Sequence, residues 1–248
     1  MALMRVDFFS KALMRPVTMN VILPADKVFF EEESSEDEKP FKTLYLLHGV
    51  MGNYTDWVAG TCIKRWAEEK NLAVVMPSGD NFFYMDQPRL QNCYSEFVGK
   101  ELVNITRKMF PLSHKREDTF IGGLSMGGYG AIYNGLKYHE TFGCIAGLSS
   151  AMILEKKEFA SEDSPMFFEK KSFLEAIFGD LSEIEKSDVN PQRLAEKIKE
   201  EGGEFPRMYL CCGIDDPLLE PNREFRDVMR GLGVDVTYEE GPGAHEWD

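Results

Sequence analysis

Residues 119–131 read Thr-Phe-Ile-Gly-Gly-Leu-Ser-Met-Gly-Gly-Tyr-Gly-Ala, and they constrain the fold more than any other stretch. A short apolar run ends at Ser125, which is flanked by Gly123 and Gly127, and a helix-compatible run (Ala131 to Lys137) follows. Gly-x-Ser-x-Gly between a strand and a helix is the pattern of a sharp turn that pushes a serine hydroxyl outward. The glycines have a steric reason: a side chain at Gly123 or Gly127 would collide with the neighbouring turns of a strained backbone. The same turn puts Ser125 at a helix N-terminus, where unpaired N–H groups and the helix dipole favour developing negative charge.

The rest of the chain supplies the setting. Residues 5–23 alternate apolar and polar side chains and suggest two antiparallel strands, closed by a turn at Pro24-Ala25-Asp26. The acidic run Glu31 to Lys39 reads as a solvated loop or hairpin tip. Continuous apolar runs at 43–47, 72–77, 142–149 and 207–213 look like strands buried on both faces, with a last strand at 235–240. Helical spacing appears at about 62–70, 94–110, 191–201 and 220–232, while 81–92 is irregular and aromatic. Strands alternating with helices predict one α/β domain over 1–248, with a mostly parallel central sheet and helices on both faces. Between 151 and 204 the alternation lapses into charged residues and phenylalanines. This predicts a small helical insertion over the active-site end, lid-like and within the same domain.

Composition narrows the function. A chain of 248 residues with 43% apolar content can bury a full core without disulfide staples. Its net charge of −14 argues against nucleic acid and against anionic membrane surfaces as partners. The five cysteines (Cys62, Cys93, Cys144, Cys211, Cys212) form no Cys-x-x-Cys pair, which predicts reduced, buried thiols in a cytoplasmic protein. No stretch approaches a membrane span or a secretory leader.

A serine hydroxyl is a poor nucleophile until a base takes its proton and a third group fixes that base. In a parallel sheet these partners belong just after strands, at their carboxyl ends. Of the four histidines, His48 joins a strand to a glycine loop and suggests a structural hydrogen bond. His114 lies in a polar loop, and His139 ends a helix, where a cation complements the dipole. His245, in the loop after the last strand, is the base candidate. The acid should follow the strand ending at Gly213, where Asp215 and Asp216 both qualify; Pro217 biases Asp216 towards an extended turn. The order Ser, Asp, His is that of an α/β-hydrolase. Oxyanion donors are expected from the backbone N–H groups of Met126 and Val50. Substrate walls are expected from Met51, Trp57, Phe82, Phe83 and the aromatics of the insertion, residues that serve equally well as packing. Nothing in the pattern asks for a metal or another cofactor.

Leu46-Leu47-His48-Gly49, Gly123 to Ala131, Gly213-Ile214-Asp215-Asp216 and Gly243-Ala244-His245-Glu246-Trp247 resemble the esterase D-like "putative esterase" family over nearly the whole chain. That group holds tributyrin, feruloyl and acetylxylan esterases, S-formylglutathione hydrolases and, more distantly, mycolyltransferases. The resemblance puts the acid on Asp216 and the oxyanion hole on the backbones of Val50 and Met126. Formylglutathione hydrolases usually carry a threonine-cysteine pair after His-Gly; Met51-Gly52 departs from it. Family members usually continue past the histidine loop into a last helix, so a continuation beyond Asp248 is expected. The resulting expectation is a cofactor-independent serine esterase acting on short acyl or aryl-acyl (acetyl, butyryl, feruloyl-type) esters of small molecules. The rivals are a formylglutathione-type thioesterase and a non-catalytic binding protein of the same fold. The oligomeric state is not fixed by the sequence, and a homo-oligomer is left open.

Overall fold

The apolar runs become strands of one eight-stranded sheet. In the computed structural model, which describes residues 1–26, 39–153 and 161–247, the strands are β1 (Ala2–Ser10), β2 (Arg15–Leu23), β3 (Lys42–Leu47) and β4 (Leu72–Pro77). A two-residue pair, β5 (Asp86–Gln87) and β6 (Asn92–Cys93), stands apart, and β7 (Thr119–Leu124), β8 (Cys144–Leu148), β9 (Arg207–Gly213) and β10 (Val236–Gly241) complete the set. The sheet order is β1-β2-β4-β3-β7-β8-β9-β10. β1 and β2 form an antiparallel hairpin and β2 runs antiparallel to β4; every pairing from β4 to β10 is parallel. In register, Tyr45 faces Ile121, Ile121 faces Ile145 and Ile145 faces Met208, so apolar side chains line up across the middle of the sheet.

The helices are α1 (Asp56–Gly60), α2 (Ile63–Glu69), α3 (Tyr94–Glu96), α4 (Leu102–Met109), α5 (Met126–Lys137), α6 (Lys171–Phe178), α7 (Pro191–Glu200) and α8 (Leu219–Leu232). The helix expected over 94–110 is α3 and α4 joined through one π-helical stretch, Phe97–Glu101. Met126 to Leu136 of α5 are all buried. This run contains four glycines and is a weak helix former by itself, so packing rather than propensity holds it. Among the described residues no helix is long and apolar enough to cross a membrane.

Two expectations need correction. The 151–204 region is not a uniform cover. α7 packs on α5 and α8 as part of the helical layer, and Leu174, Ile177 and Phe178 of α6 join the main core. Among the described residues it is Ala151, Ile153, Met166, Phe168 and Glu169 that reach the active-site end; residues 154–160 lie outside the described residues, as does nearly all of the acidic run at 31–39. All five cysteines are free, but Cys212 alone is buried; Cys62 is exposed and the others are half-buried. The alternating pleat of β8 and β9 explains the half-burial of Cys144 and Cys211, which sit on the face opposite the buried Ile145 and Leu210.

Candidate active site

Five loops meet at the carboxyl ends of β3, β7, β8, β9 and β10, where a parallel sheet places its ligands. The loop after β7 is one residue long. Ser125 has φ 58° and ψ −118°, outside the regions that L-residues ordinarily occupy. That conformation is over-determined by its neighbours. The Ser125 N–H donates to the Leu148 carbonyl at 2.9 Å, and the Ser125 carbonyl accepts from Tyr129 and Ala151 N–H at 3.0 Å each. A Cβ on Gly123 would stand 2.3 Å from the Gly127 carbonyl oxygen, and one on Gly127 would stand 2.4 Å from that of Leu47. Neither contact can be relieved by turning a side chain, so the tight elbow requires both glycines.

The acid turn and the histidine loop are tied together by backbone. Ile214 N–H donates to Gly241 O at 2.9 Å and Asp215 N–H to Gly243 O at 3.0 Å. A Cβ on Gly213 would come within 2.3 Å of Gly243 O, so this close approach needs glycine. Within the turn the two aspartates part. Asp215 is exposed. Asp216 is buried, its Oδ1 accepts from Leu218 N–H at 2.8 Å, and its Oδ2 lies 2.9 Å from His245 Nδ1. With Nδ1–H donating to the carboxylate, His245 keeps Nε2 as its basic nitrogen.

Ser125 and His245 line one cavity of about 520 Å³, whose wall also includes Val50, Met51, Phe83 and Met126. Met126 is the first residue of α5 and Val50 sits in the loop after β3. Among the described residues, neither backbone N–H meets a protein acceptor, so both are free to receive an oxyanion. The β3 loop is braced from behind. Met51, at φ 65°, donates its N–H to Asn81 Oδ1 at 2.7 Å, and Tyr84 Oη donates to the His48 carbonyl at 3.1 Å.

His48 is the buried strut of that loop. Its Nε2 accepts the Gly79 N–H at 2.8 Å, and its Nδ1 lies 2.7 Å from the Gly49 carbonyl, to which it donates. Burial lowers its pKa, because the charged ring is poorly solvated there. The sign follows directly. An unfolded chain protonates His48 near ~6.5 while the folded protein resists, so stability is fully present above that pH and is lost as pH falls below it. We expect the stability difference between the wild type and His48→Gln, measured by urea unfolding, to narrow between pH 7 and pH 5. A difference that stays constant over that range would show that His48 does not titrate this way.

Two expected wall residues are not in the cleft. Trp57 is buried, its Nε1–H donates to Leu47 O at 3.0 Å, and its ring meets Trp247 edge-on at 4.9 Å. It lines a different cavity, of about 400 Å³, behind the histidine loop. Phe82 stacks on Tyr94 with centroids 5.6 Å apart. In both cases a packing partner was invisible in local sequence. Conversely, Ile153, Phe168, Leu218 and Trp247 do line the cleft. Of these Phe168 carries a signal as one of the insertion's aromatics and Trp247 by its place in the histidine-loop motif; Ile153 and Leu218 carry none. Cys212, beside Ser149 Oγ at 3.7 Å, has its thiol pushed up to about 12 by burial and is inert as a nucleophile.

The family model for Putative esterase matches residues 10–248. The chain belongs to this family. An acetyl esterase of Caldicellulosiruptor saccharolyticus is 44% identical over all 248 residues, which cover 93% of that protein. The substrate-bound structure of a fluorophosphonate-binding serine hydrolase of Staphylococcus aureus superposes with a TM-score of 0.82. It is 32% identical, over 99% of this chain and 92% of that one. An S-formylglutathione hydrolase of the same organism gives the same figures: TM-score 0.82, 32% identity, 99% and 92% coverage. A ferulic acid esterase is 25% identical, with a TM-score of 0.75 over 99% of this chain and 92% of that one. The protein is a serine esterase with the α/β-hydrolase fold.

Proposed function

We propose that this esterase hydrolyses short acyl and aryl-acyl esters through an acyl-enzyme on Ser125. Ser125 Oγ attacks the ester carbonyl as His245 Nε2 takes its proton, while Asp216 holds the imidazole tautomer. The tetrahedral oxyanion is received by the N–H groups of Val50 and Met126. Collapse expels the alcohol, which leaves with the proton from His245. A water then attacks the acyl carbon as His245 takes its proton, and the second collapse breaks the bond to Ser125 Oγ, which regains the proton from His245 as the carboxylic acid is released. The observation that carries this reading is the contact of His245 with the buried Asp216 at 2.9 Å, beside a cavity that also holds Ser125. The acetyl esterase relative supports a short acyl group, and the ferulic acid esterase neighbour supports an aryl one.

The S-formylglutathione hydrolase neighbour supports a second reading, a thioesterase. Two features weigh against it. Met51-Gly52 stands where such enzymes usually carry threonine-cysteine, and the Asp, Glu, Lys and Arg side chains in the described cleft wall are all carboxylates, Asp56, Glu169 and Glu246. They would repel the carboxylates of glutathione. Side-by-side kcat/KM values for 4-nitrophenyl acetate, 4-nitrophenyl butyrate, methyl ferulate and S-formylglutathione test the choice. At least one oxygen ester should exceed the thioester by tenfold or more; the reverse order would make the enzyme a thioesterase.

Acyl preference should be read by Phe168, since of the insertion's described phenylalanines (Phe167, Phe168, Phe173, Phe178) it alone lines the cleft. Phe178 instead packs edge-on against Phe83 and Tyr129, at 5.1 and 5.5 Å. Phe168→Ala is expected to change the acetyl-to-feruloyl ratio of kcat/KM about tenfold, or ~1.4 kcal/mol of differential transition-state binding. Phe178→Ala should lower stability by about 3–5 kcal/mol and preserve the ratio. If Phe168→Ala also preserves it, this part of the insertion is structural cover only.

A further inference from the structure

Asn222 sits on α8, fully buried, and its side-chain amide is completely used. Oδ1 accepts the Ser150 N–H at 3.2 Å, and Nδ2 donates to the carbonyls of Ser150 and Leu218 at 2.8 Å each. Leu218 is also the residue whose N–H holds Asp216 Oδ1. Ser150 precedes Ala151, whose N–H donates to the Ser125 carbonyl at 3.0 Å. One amide therefore joins the turn that carries the acid to the loop that brackets the nucleophile, across 72 residues of sequence. The joint is needed because Asp216 hangs from β9 and Ser125 from β7, and β8 lies between them. The loop after β8 is held tightly: Ser149 has φ 42° and donates its N–H to Cys211 O at 2.8 Å.

We infer that Asn222 is a positioning residue, which sets the spacing between the Asp216–His245 pair and Ser125 by clamping the Leu218 and Ser150 backbones to each other. The inference rests on the triad reading above. The elbow itself is held independently, by Ser125 N–H to Leu148 O and by Tyr129 N–H to Ser125 O. Loss of the clamp therefore frees the acid side of the site and leaves the elbow in place. A displacement of about 1 Å between reacting groups costs on the order of 100-fold in rate, so even a small relaxation is visible in kcat.

The test is steady-state hydrolysis of 4-nitrophenyl acetate by Asn222→Ala, alone and combined with Asp216→Asn. Asn222→Ala is expected to lower kcat tenfold or more with KM within threefold. In the Asp216→Asn background it should cost no more than a further twofold, because the imidazole is already in the wrong tautomer to act as a base and its spacing from Ser125 no longer limits the rate. Thr106→Val is the control for buried polar loss: it removes the 2.8 Å bond to Tyr45 Oη, between two residues that do not line the cleft, and should lower Tm without changing kcat. Should Asn222→Ala not fold, Asn222→Asp keeps the shape, removes both donors and should show the same pattern. A kcat within twofold of wild type, or an equal loss in both backgrounds, would overturn the inference. The two readings fail differently. If Asp216→Asn alone leaves kcat within twofold, the triad reading fails and the inference with it. If Asp216→Asn is crippling and Asn222→Ala is harmless, only the inference fails.

Discussion

Ser125→Ala is expected to lower kcat by ~10⁴ or more while the protein keeps its fold. The loss is large because no other group can replace the attacking oxygen. Ser149 and Ser150 lie in the neighbouring loop, but Ser149 Oγ is directed to the Cys212 sulfur, and Ser150 is fully buried. The fold should survive because the turn is held by the backbone bonds of Ser125 and not by its hydroxyl. Alanine at φ 58° is no more strained than serine, and removing a polar group from a strained catalytic turn leaves stability unchanged or slightly raised. The measurements are kcat on 4-nitrophenyl acetate, Tm, and intact mass after treatment with a fluorophosphonate reagent. The wild type should gain one adduct at Ser125 and the variant none. A variant that retained more than about a tenth of wild-type kcat would remove Ser125 from the role of nucleophile.

The parts of this fold that could be read in the chain are those in which the local pattern and the final environment coincide. Thr43 to Leu47 is an unbroken apolar run because its strand is central in a parallel sheet, and it appears there. Ser125 was readable because the constraint is itself local: Gly123 and Gly127 are required by atoms of the same turn and of the adjacent β3 end. His245 stands out as the base candidate because a chain with four histidines leaves few places for one at the carboxyl ends of a parallel sheet, and the structure puts it there, 2.9 Å from Asp216. Local pattern failed where a side chain's role depends on a distant partner. Trp57 looks like a cleft residue from its place after His48-Gly49, yet its ring NH is taken by Leu47 O. Phe82 and Phe83 are adjacent and alike in sequence, but left-handed backbone at Phe83 sends one ring to the cleft while its neighbour goes to Tyr94. Asn222 gave no signal at all, since an asparagine on an amphipathic helix reads as a surface residue until its partners in the β8 loop are known.

The adjacent aspartates offer a sharper test than the serine, because they differ by one position and belong to the same turn. Asp216→Asn is expected to lower kcat by ~10⁴, and Asp215→Asn to leave it within twofold. The asymmetry comes from what each carboxylate touches. Asp215 is exposed, so removing its charge changes a solvated group whose influence on the site is screened by water. Asp216 has one oxygen on Leu218 N–H and the other on His245 Nδ1. An asparagine there must satisfy the same two neighbours with one oxygen and one amide. Leu218 N–H requires the oxygen, so the amide NH₂ is turned towards His245. Facing a donor, Nδ1 must become the acceptor, and the ring proton moves to Nε2, the nitrogen that should take the proton of Ser125. The variant would thus be folded, correctly shaped and unable to act as a base. Circular dichroism and Tm should confirm the fold of both variants before kcat is compared. The reverse ranking in folded protein would move the acid to Asp215, and equal, small losses would mean that no carboxylate of this turn orients the imidazole.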